Sequence, residues 1–166
     1  MPTTVTETLR ARHAATDIFE LVSDVERYPD FIPYLTNLRI VERHGDTAKG
    51  GQFTAEALVR FKIARERFIT RVDADAEAME ISVNLVDGPF RTLENCWRLT
   101  ALPDGSTRID FSLTFEFANI VLGMLLNANK DRAVRSLIEH FVAEADRRYP
   151  TIGAREYGDL RTIYTE

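Results

Sequence analysis

A change in hydrophobic period along the chain limits its fold more than any other feature. From Asn37 to Phe117, apolar and polar residues alternate in runs that are separated by the turn sequences His44–Asp46, Asp87–Pro89 and Leu102–Ser106. This alternation is typical of strands with one buried face, and the short connections predict antiparallel neighbours. From Leu122 to Arg148, apolar residues instead recur at steps of three and four, which predicts one long helix with a single apolar stripe.

The N-terminal residues add a strand and two short helices. Thr3 to Leu9 is rich in β-branched residues and predicts a first strand. Asp17 to Val22 has helical spacing, and Pro29 and Pro33 restrict the segment that follows to short helical turns. The whole pattern predicts an α+β fold in which a curved antiparallel sheet wraps around a long C-terminal helix. If sheet and helix do not close completely, the space between them is an apolar pocket.

Composition restricts the class of protein. A chain of 166 residues with 45% hydrophobic residues is long enough to bury the core of one domain. The net charge of -5 makes DNA an unlikely partner. The single cysteine, Cys96, excludes an internal disulfide and a cysteine-rich zinc site, and the three histidines lack metal-site spacing. Because the chain has no basic leader and no apolar run of ~20 residues, we expect a cytoplasmic protein.

Aromatic residues on the alternating strands are the first candidates for ligand binding. The chain has ten phenylalanines, and many of them fall on strands that would face the single long helix. This concentration favours a cavity lined by aromatic side chains, although an ordinary core would need the same residue types. The strand candidates are Phe53, Phe61, Phe68, Trp97 and Phe111.

Two polar residues interrupt the apolar strand faces. Asn95 alternates with Leu93 and Trp97, and Glu66 alternates with Phe68. A buried polar group needs a partner, so each residue is either hydrogen-bonded within the protein or available to a ligand. An Asn95 amide or a protonated Glu66 could donate to a ligand that carries only acceptors, such as a quinone. The sequence is compatible with both alternatives.

Two apolar segments could form the mouth of the pocket. One is the proline-interrupted segment, with Phe31, Ile32 and Tyr34, and the other is Ile120 to Leu126, which is apolar on every side. These segments either cover the core or form a gate that contacts a membrane. The second segment contributes the candidates Leu122, Leu125 and Leu126.

Arginines dominate one strand. The residues Arg60, Lys62, Arg65, Arg67 and Arg71 are opposed within the run only by Glu66. Such runs are usually solvated sheet faces that pair with neighbouring acids, and acidic residues follow closely here. The alternative is a surface for anionic lipid or ribosomal RNA, which would lose affinity steeply as salt increases.

Several motifs together resemble one known family. These motifs are Asp24 to Tyr34, Gly50-Gly51, Glu66 to Val72, Gly88 to Arg91 leading to Trp97, and Asp110 to Phe117 running into the helix. They resemble the coenzyme Q-binding START-domain family of the polyketide cyclase-like, helix-grip superfamily. The resemblance covers roughly residues 1–148, so that residues 149–166 are expected to form a C-terminal extension of unknown role.

The resemblance implies a helix-grip fold around a hydrophobic cavity that binds ubiquinone or a similar polyprenyl lipid and supports respiration. It implies no required cofactor, and it allows peripheral contact with the inner face of the cell membrane. The family includes a bacterial ribosome association toxin, so a ribosomal subunit is an alternative partner. The wider superfamily contains cyclases, for which Glu66 is the one inward acid that could serve. Because no catalytic motif is present, we expect a binding protein rather than an enzyme.

Overall fold

The structure is a computed structural model that describes residues 2–45, 51–61, 64–127 and 129–155. The side chains of Phe61, Ala64, Leu122 and residues 125–127 are not among those it describes. Its elements are β1 (Thr3–Ala11), α1 (Ala15–Ser23), a 3-10 helix (Val25–Asp30), β2 (Leu35–Arg43), β3 (Gly51–Phe61), β4 (Ala64–Asp75), β5 (Glu80–Asp87), β6 (Phe90–Ala101), β7 (Thr107–Phe117), α2 (Ile120–Asn127) and α3 (Lys130–Arg148).

Seven antiparallel strands form one curved sheet. From β2 to β7 each strand pairs with the next along the chain, and β1 pairs with β7, giving the order β1-β7-β6-β5-β4-β3-β2. Consecutive strands that are neighbours in space need only short turns, as the sequence pattern requires. The predicted helix-grip architecture, with two short helices after the first strand, is confirmed.

Alternate residues of the strands form the inner face of the sheet, which packs against the helices. Val72, Ile81 and Trp97 are buried there, together with Phe53 and Phe111. From α3, the buried residues Val134, Ile138, Phe141 and Ala145 repeat at steps of three and four. The period-two pattern of the strands and the helical period of α3 therefore meet in one core.

The predicted single helix from Leu122 to Arg148 is wrong, because the structure divides this region into α2 and α3. Asn129 lies in a turn before α3, with a non-helical φ of -124° and ψ of 20°. Asparagine is a weak helix former, since its side chain competes for backbone hydrogen bonds. As a result, the fully apolar run belongs to α2 (Ile120–Asn127), and the apolar stripe that packs on the sheet belongs to α3 (Lys130–Arg148).

The described residues after α3 return to the sheet. The Ile152 N–H donates to the Arg12 carbonyl at 2.7 Å. Asp104, in the turn between β6 and β7, accepts hydrogen bonds from Arg10 at 2.6 Å and from the Ala154 N–H at 2.9 Å. Gly153 has a φ of +89°, and a Cβ atom there would lie 2.5 Å from the Asp104 carboxylate. Residues 150–154 therefore pack against the end of β1, and this packing requires glycine at position 153.

Candidate functional site

An aromatic cluster fills one half of the space between sheet and helices. Phe141 of α3 lies at its centre, with its ring centroid 4.9 Å from Tyr28, 5.2 Å from Phe31 and 4.9 Å from Trp97. Trp97 in turn packs edge-to-face on Phe111 at 4.9 Å. Such pairs add stabilisation beyond their buried area. We call these five residues the central aromatic cluster, and their packing closes this half of the interior.

A second group of aromatic residues lies at the other end of the inner face. The ring centroids of Phe68 and Phe90 are 5.8 Å apart, those of Phe90 and Phe117 are 4.7 Å apart, and those of Phe115 and Phe117 are 5.6 Å apart. Phe115 is buried, but the other three are only half-buried. We call these four residues the distal aromatic cluster. Three of the four rings therefore keep part of their apolar surface exposed.

A glycine brings the β5–β6 turn onto the distal aromatic cluster. Gly88 has a φ of +155°, and a Cβ atom at this position would lie 2.5 Å from the Cβ of Phe68. No side chain fits in that space, so the backbone can approach Phe68 this closely only with glycine. The Pro89 carbonyl also accepts a hydrogen bond from the Ala118 N–H, which ties the turn to the end of β7.

Helix α2 borders this cluster and exposes apolar side chains to solvent. The exposed fractions are 74% for Ile120, 66% for Val121 and 72% for Met124. The helix contains no charged residue. A cavity of about 210 Å³ lies between α2 and β7. Its apolar lining comes from Phe115, Phe117, Ile120, Gly123 and Met124, and its polar lining comes from Thr3, Glu116 and Asn119. We call the distal aromatic cluster and α2 together the open end.

Asn95 is held by hydrogen bonds within the protein. Its side-chain amide donates to the Ser112 carbonyl at 2.8 Å, and its carbonyl oxygen accepts from the Trp97 indole N–H at 2.9 Å. Asn95 therefore orients Trp97 at the boundary between the two halves of the interior. A direct role of Asn95 in ligand binding remains a prediction.

Glu66 is the more available of the two polar candidates. It lies opposite Val59 of β3 and is half-buried, two residues from Phe68 on the same strand face. Within the described part of the chain, its carboxylate makes neither a hydrogen bond nor an ion pair. An inward-facing carboxyl without a partner beside aromatic rings can serve a ligand as its polar contact.

The remaining predicted site residues fall into three groups. Phe53, Trp97, Phe111 and Ile32 are buried in the core, whereas Phe31 and Tyr34 are half-buried against it. Burial raises the pKa of Tyr34 to about 12, so its phenol stays protonated. The side chains of Phe61, Leu122, Leu125 and Leu126 lie outside the described residues. Ligand contact for all of these residues remains a prediction.

Phe90 and Phe117 of the distal aromatic cluster were not among the predicted site residues. Each lies at the end of its strand, and the register pairs them directly. The sequence carries a signal for Phe90, because it follows Gly88-Pro89, where a turn must approach the sheet closely. Phe117 could have been identified as the last inward residue of β7.

A larger groove of about 400 Å³ runs between β1 and α3. Leu9, Ile138 and Val142 form its apolar floor. Charged residues form its rim, where Arg135 lies 3.7 Å from the carboxylate of Glu7. The groove therefore has an apolar floor, and the ion pair and further carboxylates lie along its rim.

The four arginines of the predicted basic run lie on the outer face of the sheet, and Lys62 lies outside the described residues. Glu56 accepts hydrogen bonds there from Arg67 at 2.6 Å and from Arg39 of β2 at 3.1 Å. The hydrogen bond from Arg67 lowers the pKa of Glu56 even though burial opposes its ionisation. Arg71 donates to Gln52 at 2.9 Å. Two members of the run therefore have partners on neighbouring strands, as a solvated sheet face would.

Arg60 and Arg65 differ from the other arginines of this face. They lie directly opposite each other in the β3–β4 register, and both are exposed. Like charges in directly opposite positions destabilise a sheet. Neither residue has an ion-pair partner among the described residues. We call Arg39, Arg60, Arg65, Arg67 and Arg71 the arginine surface.

No three His, Cys, Asp or Glu side chains in the described part of the chain lie close enough together to bind a metal ion. None of the described helices has the length and apolar character needed to cross a membrane.

Most of the chain's length is similar in sequence to known proteins. Residues 12–142 match the family described as polyketide cyclase / dehydrase and lipid transport. The chain is 31% identical over 145 residues to the ribosome association toxin RatA of Escherichia coli, covering 87% of this chain and 88% of the relative. It is 29% identical over 132 residues to the mitochondrial coenzyme Q-binding protein coq10 of Schizosaccharomyces pombe, covering 77% of each chain.

A solved structure agrees with this assignment. The 18 kDa protein CC1736 from Caulobacter crescentus superposes with a TM-score of 0.70 and 39% identity, covering 89% of this chain and 97% of that one. The sequence match and the fold agree, and this chain belongs to the polyketide cyclase / dehydrase and lipid transport family.

Proposed function

We propose that this protein binds ubiquinone or a similar polyprenyl lipid at the open end and supports respiratory electron transport, without catalysing a reaction. The observation that carries the proposal is the distal aromatic cluster. Phe68, Phe90 and Phe117 are half-buried on the inner face and adjoin a helix with exposed apolar side chains. The coenzyme Q-binding relative in Schizosaccharomyces pombe supports the same ligand class.

The size of the site limits how much of such a ligand it could hold. Each Å² of apolar ligand surface that leaves water contributes ~25 cal/mol, so aromatic rings and isoprene units bind favourably to half-buried phenylalanines. A cavity of about 210 Å³ is smaller than the usual range of roughly 300–1,000 Å³ for ligand pockets. The headgroup and first isoprene units would therefore bind within the open end, and the rest of the tail would pass along α2.

Glu66 would supply the polar contact in this arrangement. A quinone carbonyl accepts hydrogen bonds, and a protonated carboxyl has one proton to donate. Glu66 lies on the strand face of Phe68 and has no partner within the described residues. A ligand headgroup that packs on Phe68 would be near this carboxyl.

The exposed apolar face of α2 supports contact with a membrane surface. Polyprenyl lipids reside in membranes, so the protein must meet a bilayer in order to load and release them. Ile120, Val121 and Met124 form an uncharged apolar patch next to the site, and such patches mark membrane or protein contacts. We propose that this helix contacts the inner face of the cell membrane peripherally.

A titration tests the binding site. Ubiquinone with a short tail is added to the full chain, and quenching of Trp97, the only tryptophan, is followed. Phe68→Ala should weaken binding about tenfold or more, because it removes a large apolar contact. Leu58→Ala is the matched control, since Leu58 lies on the outer face of the adjacent strand. Equal affinity of the two variants would contradict the proposed site.

A second candidate function, association with a ribosomal subunit, is favoured by Arg60 and Arg65. These residues form an exposed pair of like charges on the outer face, which is the arrangement expected of an anion-binding surface. The relative in Escherichia coli is named a ribosome association toxin. Co-sedimentation of the full chain with purified ribosomal subunits at low salt tests this function, and absence of the protein from the subunit fractions would remove it.

A further inference from the structure

We propose that the arginine surface binds the phosphate backbone of an RNA duplex, with Arg60 and Arg65 as its principal contacts. This inference rests on the second candidate function and specifies its partner and its binding face.

Positive charge is concentrated on this face of an otherwise acidic chain. The chain as a whole has a net charge of -5, yet five arginines lie on the outer face of β2, β3 and β4. Among the described residues, Glu56 forms ion pairs with two of these five, Arg39 and Arg67. A local cluster of one sign attracts an oppositely charged partner whatever the overall charge of the protein.

Glu56 holds two of the arginines in place. It accepts the Nε–H groups of both Arg39 and Arg67, and both arginine side chains remain more than half exposed. A guanidinium has five N–H donors, so each arginine retains donors that face solvent. Side chains that are already oriented lose less conformational entropy when they bind a phosphate.

An anion would gain the most favourable electrostatic interaction by binding between Arg60 and Arg65. Residues directly opposite in an antiparallel pair have Cβ atoms about 5 Å apart, so both guanidinium groups can reach one phosphate or two adjacent phosphates. In the unbound protein the two charges repel each other across the β3–β4 register. A bound phosphate would convert this repulsion into two charge-assisted hydrogen-bonded contacts.

The surroundings favour a duplex backbone over other anionic partners. Phe53 and Phe68, the aromatic side chains described for β3 and β4, face the inner side. Stacking on unpaired bases needs outward aromatic side chains, so the arginine surface suits phosphates rather than single strands. Apolar residues that could enter a bilayer are concentrated on α2, which packs against β7. RNA duplexes are recognised mainly through shape and backbone contacts.

The test measures binding of the full chain to a short fluorescein-labelled RNA duplex over a range of salt concentrations. The double variant Arg60→Gln/Arg65→Gln should bind about tenfold or more weakly at low salt, and its salt dependence should fall by about two in slope. Arg132→Gln, an exposed arginine of α3, is the matched control and should bind as the wild type does. Circular dichroism confirms that all three proteins are folded.

Three results would overturn the inference. They are equal binding by the double variant and the control, no binding by the wild type at low salt, and tighter binding to vesicles of phosphatidylcholine and phosphatidylglycerol than to the duplex. Co-sedimentation with ribosomal subunits separates this inference from the function on which it rests. If the wild type and the double variant co-sediment equally, the ribosomal function stands and the arginine surface does not.

Discussion

At the scale of single residues, two carboxylates hold the C-terminal end of the fold. Glu144 of α3 is buried and accepts hydrogen bonds from Arg147 at 2.7 Å and from Arg148 at 2.6 Å. The bonds from Arg147 and then Arg148 lower the pKa of Glu144 to about 2, although burial opposes ionisation. Burial likewise opposes ionisation of Asp104, but hydrogen bonds from Ser106, Ala154 and Arg10 hold its pKa well below the ordinary value.

Glu144→Gln should lower the free energy of unfolding by about 1–3 kcal/mol near neutral pH, because it removes charge-assisted hydrogen bonds in a buried site. The folded-state pKa lies below the ordinary value of 4.5, so this stabilisation is present above that value and is lost as the pH falls toward about 2. Urea unfolding near pH 7 and near pH 3 should therefore show a smaller difference between variant and wild type at the lower pH.

Glu139→Gln is the control for this experiment, since Glu139 is an exposed carboxylate on the same helix. It should change stability little at either pH. A Glu144→Gln effect of the same size near pH 7 and near pH 3 would contradict the assignment of the low pKa to the Arg147 and Arg148 contacts.

Glu66 can be tested as a hydrogen-bond donor to a quinone with two variants. Glu66→Gln keeps a donor and should retain affinity for ubiquinone within about threefold. Glu66→Leu has no donor and should bind about five- to tenfold more weakly, which corresponds to one hydrogen bond. The measurement is the Trp97 fluorescence titration. Equal affinity of both variants and the wild type would exclude Glu66 as a ligand contact.

The same pair of variants separates binding from catalysis. A general acid or base cannot be replaced by glutamine, so a cyclase that relied on Glu66 would lose its function in Glu66→Gln. A lipid-binding protein would lose function only in Glu66→Leu.

At the scale of secondary-structure elements, the alternating pattern was sufficient to predict the strands and their inward residues. Phe53, Phe68, Trp97 and Phe111 all face the inner side, as their alternation required. The pattern could not show which half of that face is closed. Trp97 and Phe90 belong to the same strand, but Trp97 is covered by Phe141, a residue far away in sequence.

A buried contact between the two ends of the chain shows the same limit of prediction from the sequence pattern. His13, which has no distinctive sequence context, is fully buried. Its Nε2 lies 2.6 Å from the Asp146 carboxylate, and its Nδ1 lies 3.0 Å from the Pro150 carbonyl. Both partners come from the other end of the chain, so local periodicity contains no signal for this contact.

Gly88→Ala should distort the open end and destabilise the fold. A Cβ atom there would lie 2.5 Å from the Cβ of Phe68, so either the turn or the strand must move. We expect a loss of about 1–3 kcal/mol in the free energy of unfolding, together with weaker ubiquinone binding. Thermal unfolding and the quinone titration measure the two effects.

Gly45→Ala is the matched control, because a Cβ atom there would have its nearest neighbour at 3.8 Å, an ordinary van der Waals distance. Stability and affinity of Gly88→Ala equal to those of the control would contradict the packing described for the β5–β6 turn.

The membrane contact proposed for α2 is tested by Ile120→Ser/Met124→Ser. Both side chains are more than 70% exposed, so the double variant should fold with nearly wild-type stability. It should bind vesicles that contain ubiquinone about tenfold or more weakly, because apolar surface that would enter the bilayer is lost. Vesicle co-flotation measures this binding.

Val41→Ser provides the control for vesicle binding. Val41 is 46% exposed on β2, at the opposite edge of the sheet from β1. Should this control reduce flotation as much as the α2 variant does, contact through α2 would be wrong.

At the scale of the whole molecule, one sheet carries two different surfaces. The open end presents half-buried phenylalanines of the inner face beside the exposed apolar side chains of α2, whereas the arginine surface is cationic and lies on the outer face of β2, β3 and β4. Because the sheet separates them, a lipid and an RNA could bind without competing for side chains. Members named for coenzyme Q binding and for ribosome association occur among the relatives of this chain. Two surfaces on one scaffold would accommodate both activities.

The most direct test of the central claim identifies the lipid that the protein carries. The full chain is purified without detergent from respiring cells, extracted with organic solvent and analysed by mass spectrometry beside the Phe68→Ala variant. We predict that a polyprenyl quinone is enriched in the wild-type extract and depleted in that of the variant. Absence of any quinone from the wild-type extract, together with failure to bind added ubiquinone, would contradict the account.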